Sequence, residues 1–259
     1  MQFKRMLILM LGLFVALDLF LYVSWQQGFQ NNVDVNAPSS DIIQEMKKQN
    51  ITLPRVSQKT YEMSYMAAES DTNLSGSARL YGGMLNYNIK DGALNLNFRG
   101  DGRGSLESGD NYYRAEIEKW GYQYNHLLSQ AKDVHGGQTY AAYNQTALGW
   151  PVLAKTGLLE VTYDRTSHQG TVVQHRLSAV ERLRESEDTI SEQAAIEDLY
   201  RYNVLNSGDK LSTGELGYDV ADHYDGKDIY QPVWLFLNTN KNGDKSLLKV
   251  NAFTGEQVD

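Results

Sequence analysis

A single apolar stretch, Met6 to Trp25 (MLILMLGLFVALDLFLYVSW), constrains this chain more than any other feature. Twenty residues at about 1.5 Å rise per residue reach roughly 30 Å, the thickness of a bilayer's hydrocarbon core. Lys4 and Arg5 precede the stretch and the next basic residue is Lys47, so the positive-inside bias puts residues 1–5 in the cytoplasm and everything after Trp25 outside. A cleaved signal peptide also begins with a short basic segment and an apolar run. Here the run is longer than a usual signal core, and its exit presents Tyr22, Trp25 and Gln26 where cleavage wants small residues. The expectation is a retained single-pass anchor with Tyr22 and Trp25 at the interface.

Asp18 lies a few residues past the middle of that segment. A carboxyl at this depth costs about 2.5 to 3.5 kcal/mol on insertion scales, so the position favours a partner helix over an isolated anchor. The surrounding Leu, Ile and Phe residues carrying the cost, with Asp18 protonated or drawn to the outer interface, is the simpler alternative. Gly12 and Ala16 form a small-xxx-small pair whose midpoint lies roughly 140° around the helix from Asp18. Two faces are therefore available, and Asp18, Gly12, Ala16, Phe14 and Tyr22 are the candidate contacts within the membrane.

After a polar tether over residues 26–40, about 220 residues remain, enough for one large domain or two ordinary ones. Of 24 basic and 32 acidic residues, Lys4, Arg5 and Asp18 lie at or before the anchor, which leaves 22 and 31 beyond it, a net of −9. That charge argues against nucleic acid and anionic surfaces as partners. The absence of cysteine excludes thiol catalysis, dithiol redox chemistry and Cys-based zinc sites.

The coarse reading is α+β. A short helix capped at Ser39, Ser40 or Asp41 carries Ile42, Ile43 and Met46. Strands follow over 60–68 and 78–88, and Asp91-Gly92 marks a type I′ hairpin into Leu94, Leu96 and Phe98. The spacing of Tyr113, Ile117, Trp120, Tyr124, Leu127 and Leu128 predicts a long helix from Asp110 to about Ala131, with Gly121 marking close approach to a sheet. Strands are expected over 158–164, 171–177 and 211–220, and Thr189 with Glu192 fits a capping box, Ser191 competing, for a helix to about Asn203 with Ala195, Ile196, Leu199 and Tyr202 inward. A polar loop from Asp222 to Asp228 precedes Pro232, which opens a strand apolar on both faces. Asn242-Gly243, a favoured type I′ dipeptide, then turns the chain through a second hairpin into Leu247 to Phe253.

Chemistry-bearing patterns are weak. The glycines of 99–109 fail phosphate-loop spacing. The Asn238 to Asp244 run opens like a calcium loop but has Lys249 where a bidentate Glu belongs, and is better read as a tight hairpin. Asp219, Asp222, His223, Asp225 and Asp228 form a dense carboxylate and imidazole cluster whose default reading is solvated loop, with weak metal binding as the alternative. The other histidines lack metal spacing, and no nucleophile elbow or Walker loop occurs. A carboxylate pair of the glycosidase kind needs no local spacing and stays open. No enzyme, cofactor or metal is expected.

Residues in order along nearly the whole chain resemble the YycI (WalI) regulatory proteins of Gram-positive bacteria. They are the anchor segment Ala16-Leu17-Asp18-Leu19-Phe20-Leu21; Gly149-Trp150-Pro151; Ile190-Ser191 and Ala194-Ala195 before Leu199-Tyr200; Leu216-Gly217-Tyr218; Pro232-Val233-Trp234; and Asn251-Ala252-Phe253-Thr254-Gly255-Glu256. The segments 222–230 and 239–245 are longer than that family's pattern. The resemblance implies an extracellular α+β region of two related halves, with antiparallel sheets packed by helices, divided here as 41–150 and 151–259. It implies a non-enzymatic accessory protein acting with a YycH-like protein on the sensor histidine kinase YycG (WalK), whose regulator YycF (WalR) controls cell-wall metabolism. A homo- or hetero-dimer fits that reading. Alternatives are a tethered module that captures a wall fragment or peptide, and a wall hydrolase.

Overall fold

The computed structural model describes Phe14, Asp18 and residues 39–75, 86–90, 92–99, 117–118, 120–134 and 136–258. Among them the chain is dominated by antiparallel sheet, with few helices. The organising element is a thirteen-residue strand, β14 (Lys227–Thr239). One of its edges pairs with β13 (Glu215–Tyr224) and then β12 (Lys210–Leu211). The other pairs with β2 (Met66–Ser70) along Asp228 to Tyr230 and with β15 (Lys245–Asn251) from Val233 onward. Pro232 sits at the handover. Its carbonyl accepts from Ala252 N, so its missing N–H falls between two partners, where no ladder bond is lost. β10 (Leu177–Arg182) on β2 and β16 (Gln257–Val258) on β15 complete this first seven-stranded sheet.

Both faces of β14 are buried, as its sequence predicts. Trp234 and Phe236 point toward α1 (Ser39–Lys48) and α3 (Glu192–Arg201), whose Ile42, Met46, Ala195, Ile196 and Leu199 are buried in the same core. Trp234 Nε1 donates to Ile190 O, which satisfies the one polar atom on that ring. Val233 and Leu235 face the other way, onto Ala142 and Leu158 of the second sheet and onto Leu128 and Leu153 outside its strands.

That second sheet has the order β3 (Asn86–Lys90), β4 (Ala93–Arg99), β9 (Gln169–Gln174), β8 (Leu158–Asp164), β6 (Gln138–Ala147), β5 (Tyr122–Asn125), with β7 (Trp150–Pro151) on β6. Leu94, Leu96, Val172, Leu159, Val161, Ala141, Tyr143 and Tyr122 line one face and pack with Leu74 and Ile117. A small pair, β1 (Glu62–Met63) with β11 (Glu187–Asp188), stands apart. The sheets meet edge to edge at a parallel bridge, Val152 with Tyr218.

Several expectations are corrected. Residues 120–131 are not one long helix: Gly121 has φ +85, Tyr122–Asn125 is strand β5, and only His126–Ala131 (α2) is helical there, capped by Asn125. Tyr124 falls on a helical stripe with Trp120 and Leu128, but it also stands at strand spacing from Tyr122, and pairing with Ala142 to Gln145 decides it. A Cβ on Gly121 would meet nothing within 4 Å, so its role is the turn, not close approach. Residues 222–228 are not a loop but the end of a hairpin turning at Asp225-Gly226, both at positive φ. Tyr202 is exposed, and Tyr200 takes the inward place, because α3 ends at Arg201. The Asn242 turn is not type I′: Gly243 alone is left-handed, and Asn240 Oδ1 accepts from Asn242 N and Asp244 N. A division at residue 150 cuts the second sheet, since β8 and β9 lie beyond it while β2 of the first sheet lies before.

Candidate interaction sites

Phe14 and Asp18 are both helical and exposed. Four residues apart, they share one helix face. Gly12, Ala16 and Tyr22, with the rest of Met6 to Trp25, lie outside the described residues, as do 100–116 and His135. Among the described residues no helix is long and apolar enough to cross a membrane.

The acidic cluster of 219–228 is dispersed by strand geometry. Asp219 is buried and pairs with Lys249 Nζ at 2.7 Å, whereas His223 Nδ1 and Asp228 Oδ1 lie 2.9 Å apart on the exposed hairpin. Asp222 accepts from His223 N, and Asp225 occupies the turn. Among the described residues no three His, Asp or Glu side chains come together in a metal-holding group. His126 bonds Gln130 and His168 meets Tyr163. Burial, with Lys155 adding to it, holds His175 below the usual imidazole range, and its Nε2 has no partner among the described residues.

Polar groups concentrate where the sheets meet. Asn125 Nδ2 donates to both carboxylate oxygens of Glu215 at 2.9 Å, and its Oδ1 caps α2 at Leu128 N. Burial raises the Glu215 carboxyl above its ordinary value, and the bond from Asn125 partly offsets this. Lys245 Nζ reaches Gln130 O at 2.9 Å and Asp133 at 3.4 Å. None of these junction residues stands out in the sequence, because Asn125 and Glu215 are ninety positions apart and each carries an ordinary local role.

A cavity of about 440 Å³ opens between the segment Asn206 to Asp209 and the turn Asn240 to Asn242. The enlarged 239–245 segment supplies one wall, the only trace of this cavity in the sequence.

These features define a two-sheet, sheet-rich α+β protein. The chain belongs to the YycI family: the family model described as "YycI protein" matches residues 30–253. That is a regulatory accessory family of the YycG/YycF two-component system and is not known for enzymatic activity. No curated protein matches the chain. Among solved structures, an uncharacterized protein of Eubacterium rectale is similar at a TM-score of 0.45 and 10% identity, over 81% of this chain and 89% of that one.

Proposed function

We propose that the chain is a single-pass, extracytoplasmic accessory protein that modulates a YycG-like (WalK-like) sensor histidine kinase through contacts of its membrane helix and its outer sheets, together with a YycH-like partner. The family match over residues 30–253 carries this reading. The N-terminal sequence supports the placement: a twenty-residue apolar run preceded by Lys4 and Arg5 orients the rest of the chain outward. Asp18 is the contact with most reason to exist. In hydrocarbon its carboxyl gains most from a polar group on a neighbouring helix, and Phe14 extends the same face. Gly12 and Ala16 offer a second approach, and Tyr22 an interfacial one.

The test is mild-detergent co-purification of the full-length protein from its own membranes, beside Asp18→Leu, with mass spectrometry of what is retained. A histidine kinase held by the wild type and lost from the variant is the expected result. A kinase held equally by both would move the contact off Asp18. Its absence from both would turn attention to a tethered binding module, whose function would survive replacement of the anchor by an unrelated helix.

A further inference from the structure

The cavity between the two polar loops is lined by Asn206, Ser207, Asp209, Asn240, Lys241 and Asn242. At about 440 Å³ it lies in the range of small-ligand sites. Its walls are fixed before anything enters. On one side Gly208 N and Ser207 Oγ donate to Gln49 O, and Thr52 N donates to Asp209 O. On the other, Asn240 closes its own turn and donates through Nδ2 to Asp244 Oδ2 at 2.9 Å.

The charges on these walls are left open. Asp209 is only 2% exposed, and its Oδ2 takes both structural bonds, from Asn206 N and Asn238 Nδ2 at 2.9 Å each. Oδ1 carries no hydrogen bond among the described residues, an arrangement that favours a cationic donor beside it. Lys241 stands on the facing turn, its Cβ over Gly208, and forms no ion pair among the described residues. Among the described residues the side-chain amides of Asn206 and Asn242 are likewise unengaged, and the buried Oδ1 of Asn238, beside Asp209, has no partner. A carboxylate and an ammonium thus flank one cavity without pairing across it.

We propose that this cavity binds a small zwitterion with an amino-acid backbone, its ammonium on Asp209 and its carboxylate on Lys241, with Asn206 and Asn242 bonding the atoms between. The lining residues all lie outside the N-terminal apolar segment, so the proposal stands or falls independently of kinase regulation.

Calorimetric titration of the full-length protein in mild detergent tests it with four probes: alanine, alanyl-alanine, N-acetyl-alanyl-alanine and alanyl-alanine amide. Saturable binding of alanine or alanyl-alanine is expected, and the tighter of the two tells a free amino acid from a peptide. Removing one charge, by acetylating or amidating the dipeptide, should weaken binding at least about tenfold. Lys241→Ala, on an exposed turn, should weaken the unblocked dipeptide by the same factor and make amidation inconsequential; Asp209→Asn should do so for acetylation. If Asp209→Asn fails to fold, Lys241→Ala with the amide decides alone. Absence of saturable binding of both unblocked probes to the wild type, or binding unchanged by Lys241→Ala, overturns the proposal.

Discussion

Glu192 shows how much one side chain can hold. Its carboxylate is 3% exposed and accepts from Ser57 N at 2.9 Å and Gly214 N at 2.7 Å, tying the segment before β1 and the entry to β13 to the start of α3. The Thr189 to Glu192 spacing reads as a capping box, but Ser191 is the cap and Thr189 instead accepts from Tyr61 N. The residue types were legible and their partners were not, because those partners come from distant segments. Glu192→Ala should destabilise the fold by about 3 kcal/mol, since two backbone donors lose a charged acceptor, and Glu192→Gln by less; urea denaturation followed by tryptophan fluorescence measures the difference. Glu215 acts in the opposite sense. Its carboxyl is raised in the folded state, chiefly by burial, so the folded protein holds that proton more tightly than the unfolded chain. Its contribution is therefore undiminished below the ordinary carboxyl value of about 4.3 and is lost progressively as pH climbs through the raised value. Replacement by Gln removes this titration. The melting temperature of the wild type relative to Glu215→Gln should accordingly fall across that interval and be flat on either side, which a pH series of thermal melts checks.

Elements in this protein take their identity from the strands beside them. β14 is legible in sequence because both of its faces are apolar, whereas the hairpin beyond it is not. Asp91-Gly92 and Asp225-Gly226 are the same turn dipeptide, and in both the glycine has positive φ. The first is flanked by alternating apolar residues; the second is flanked by Asp222, His223 and Asp228, polar on both faces, so nothing but pairing with β14 marks it as strand. Helical spacing over 120–128 misleads for a related reason, since Tyr124 fits a helical stripe with Trp120 and Leu128 as well as strand alternation with Tyr122, until β6 fixes the segment. Two glycines separate turn chemistry from packing. A Cβ on Gly226, φ +78, would touch nothing within 4 Å, so Gly226→Ala should cost about 1 kcal/mol of backbone strain alone. On Gly217 it would stand 2.5 Å from Pro151 O and 2.8 Å from Leu153, at the bridge where the sheets join. Gly217→Ala should cost about 2 kcal/mol or more, in keeping with an overpacked core. Denaturation midpoints should rank the two variants in that order, and the reverse ranking would mean that the sheet junction yields easily.

At the scale of the whole molecule, the chain weaves between its sheets. Residues 66–70 enter the first sheet, 86–174 build the second, and 177–258 return to complete the first. Sequence patterns locate strands but carry no record of which strand a given edge will choose, so two successive halves with a boundary near Trp150 look natural until the pairings are known. The consequence is physical. A fragment beginning at residue 151 would hold β8 without β6, β9 without β4, and β14 and β10 without β2 between them. It would also expose Ile196, Leu199 and Phe236, which lose Ile42 and Met46. The remaining contacts would leave long unpaired edges beside an uncovered apolar face, a combination that a sheet protein does not tolerate. Expressed alone, residues 151–259 should therefore show no cooperative thermal transition and little near-ultraviolet circular dichroism. Residues 39–150 should behave the same way, lacking β8 and β9 for their sheet and β14 for β2. Mixing the two should restore a single transition, because Val233 and Leu235 need Leu128 and Ala142 as much as the edges need their neighbours. Independent cooperative melting of either fragment would mean that its strands find sufficient partners within one half, and the woven assignment of strands to sheets would then be wrong.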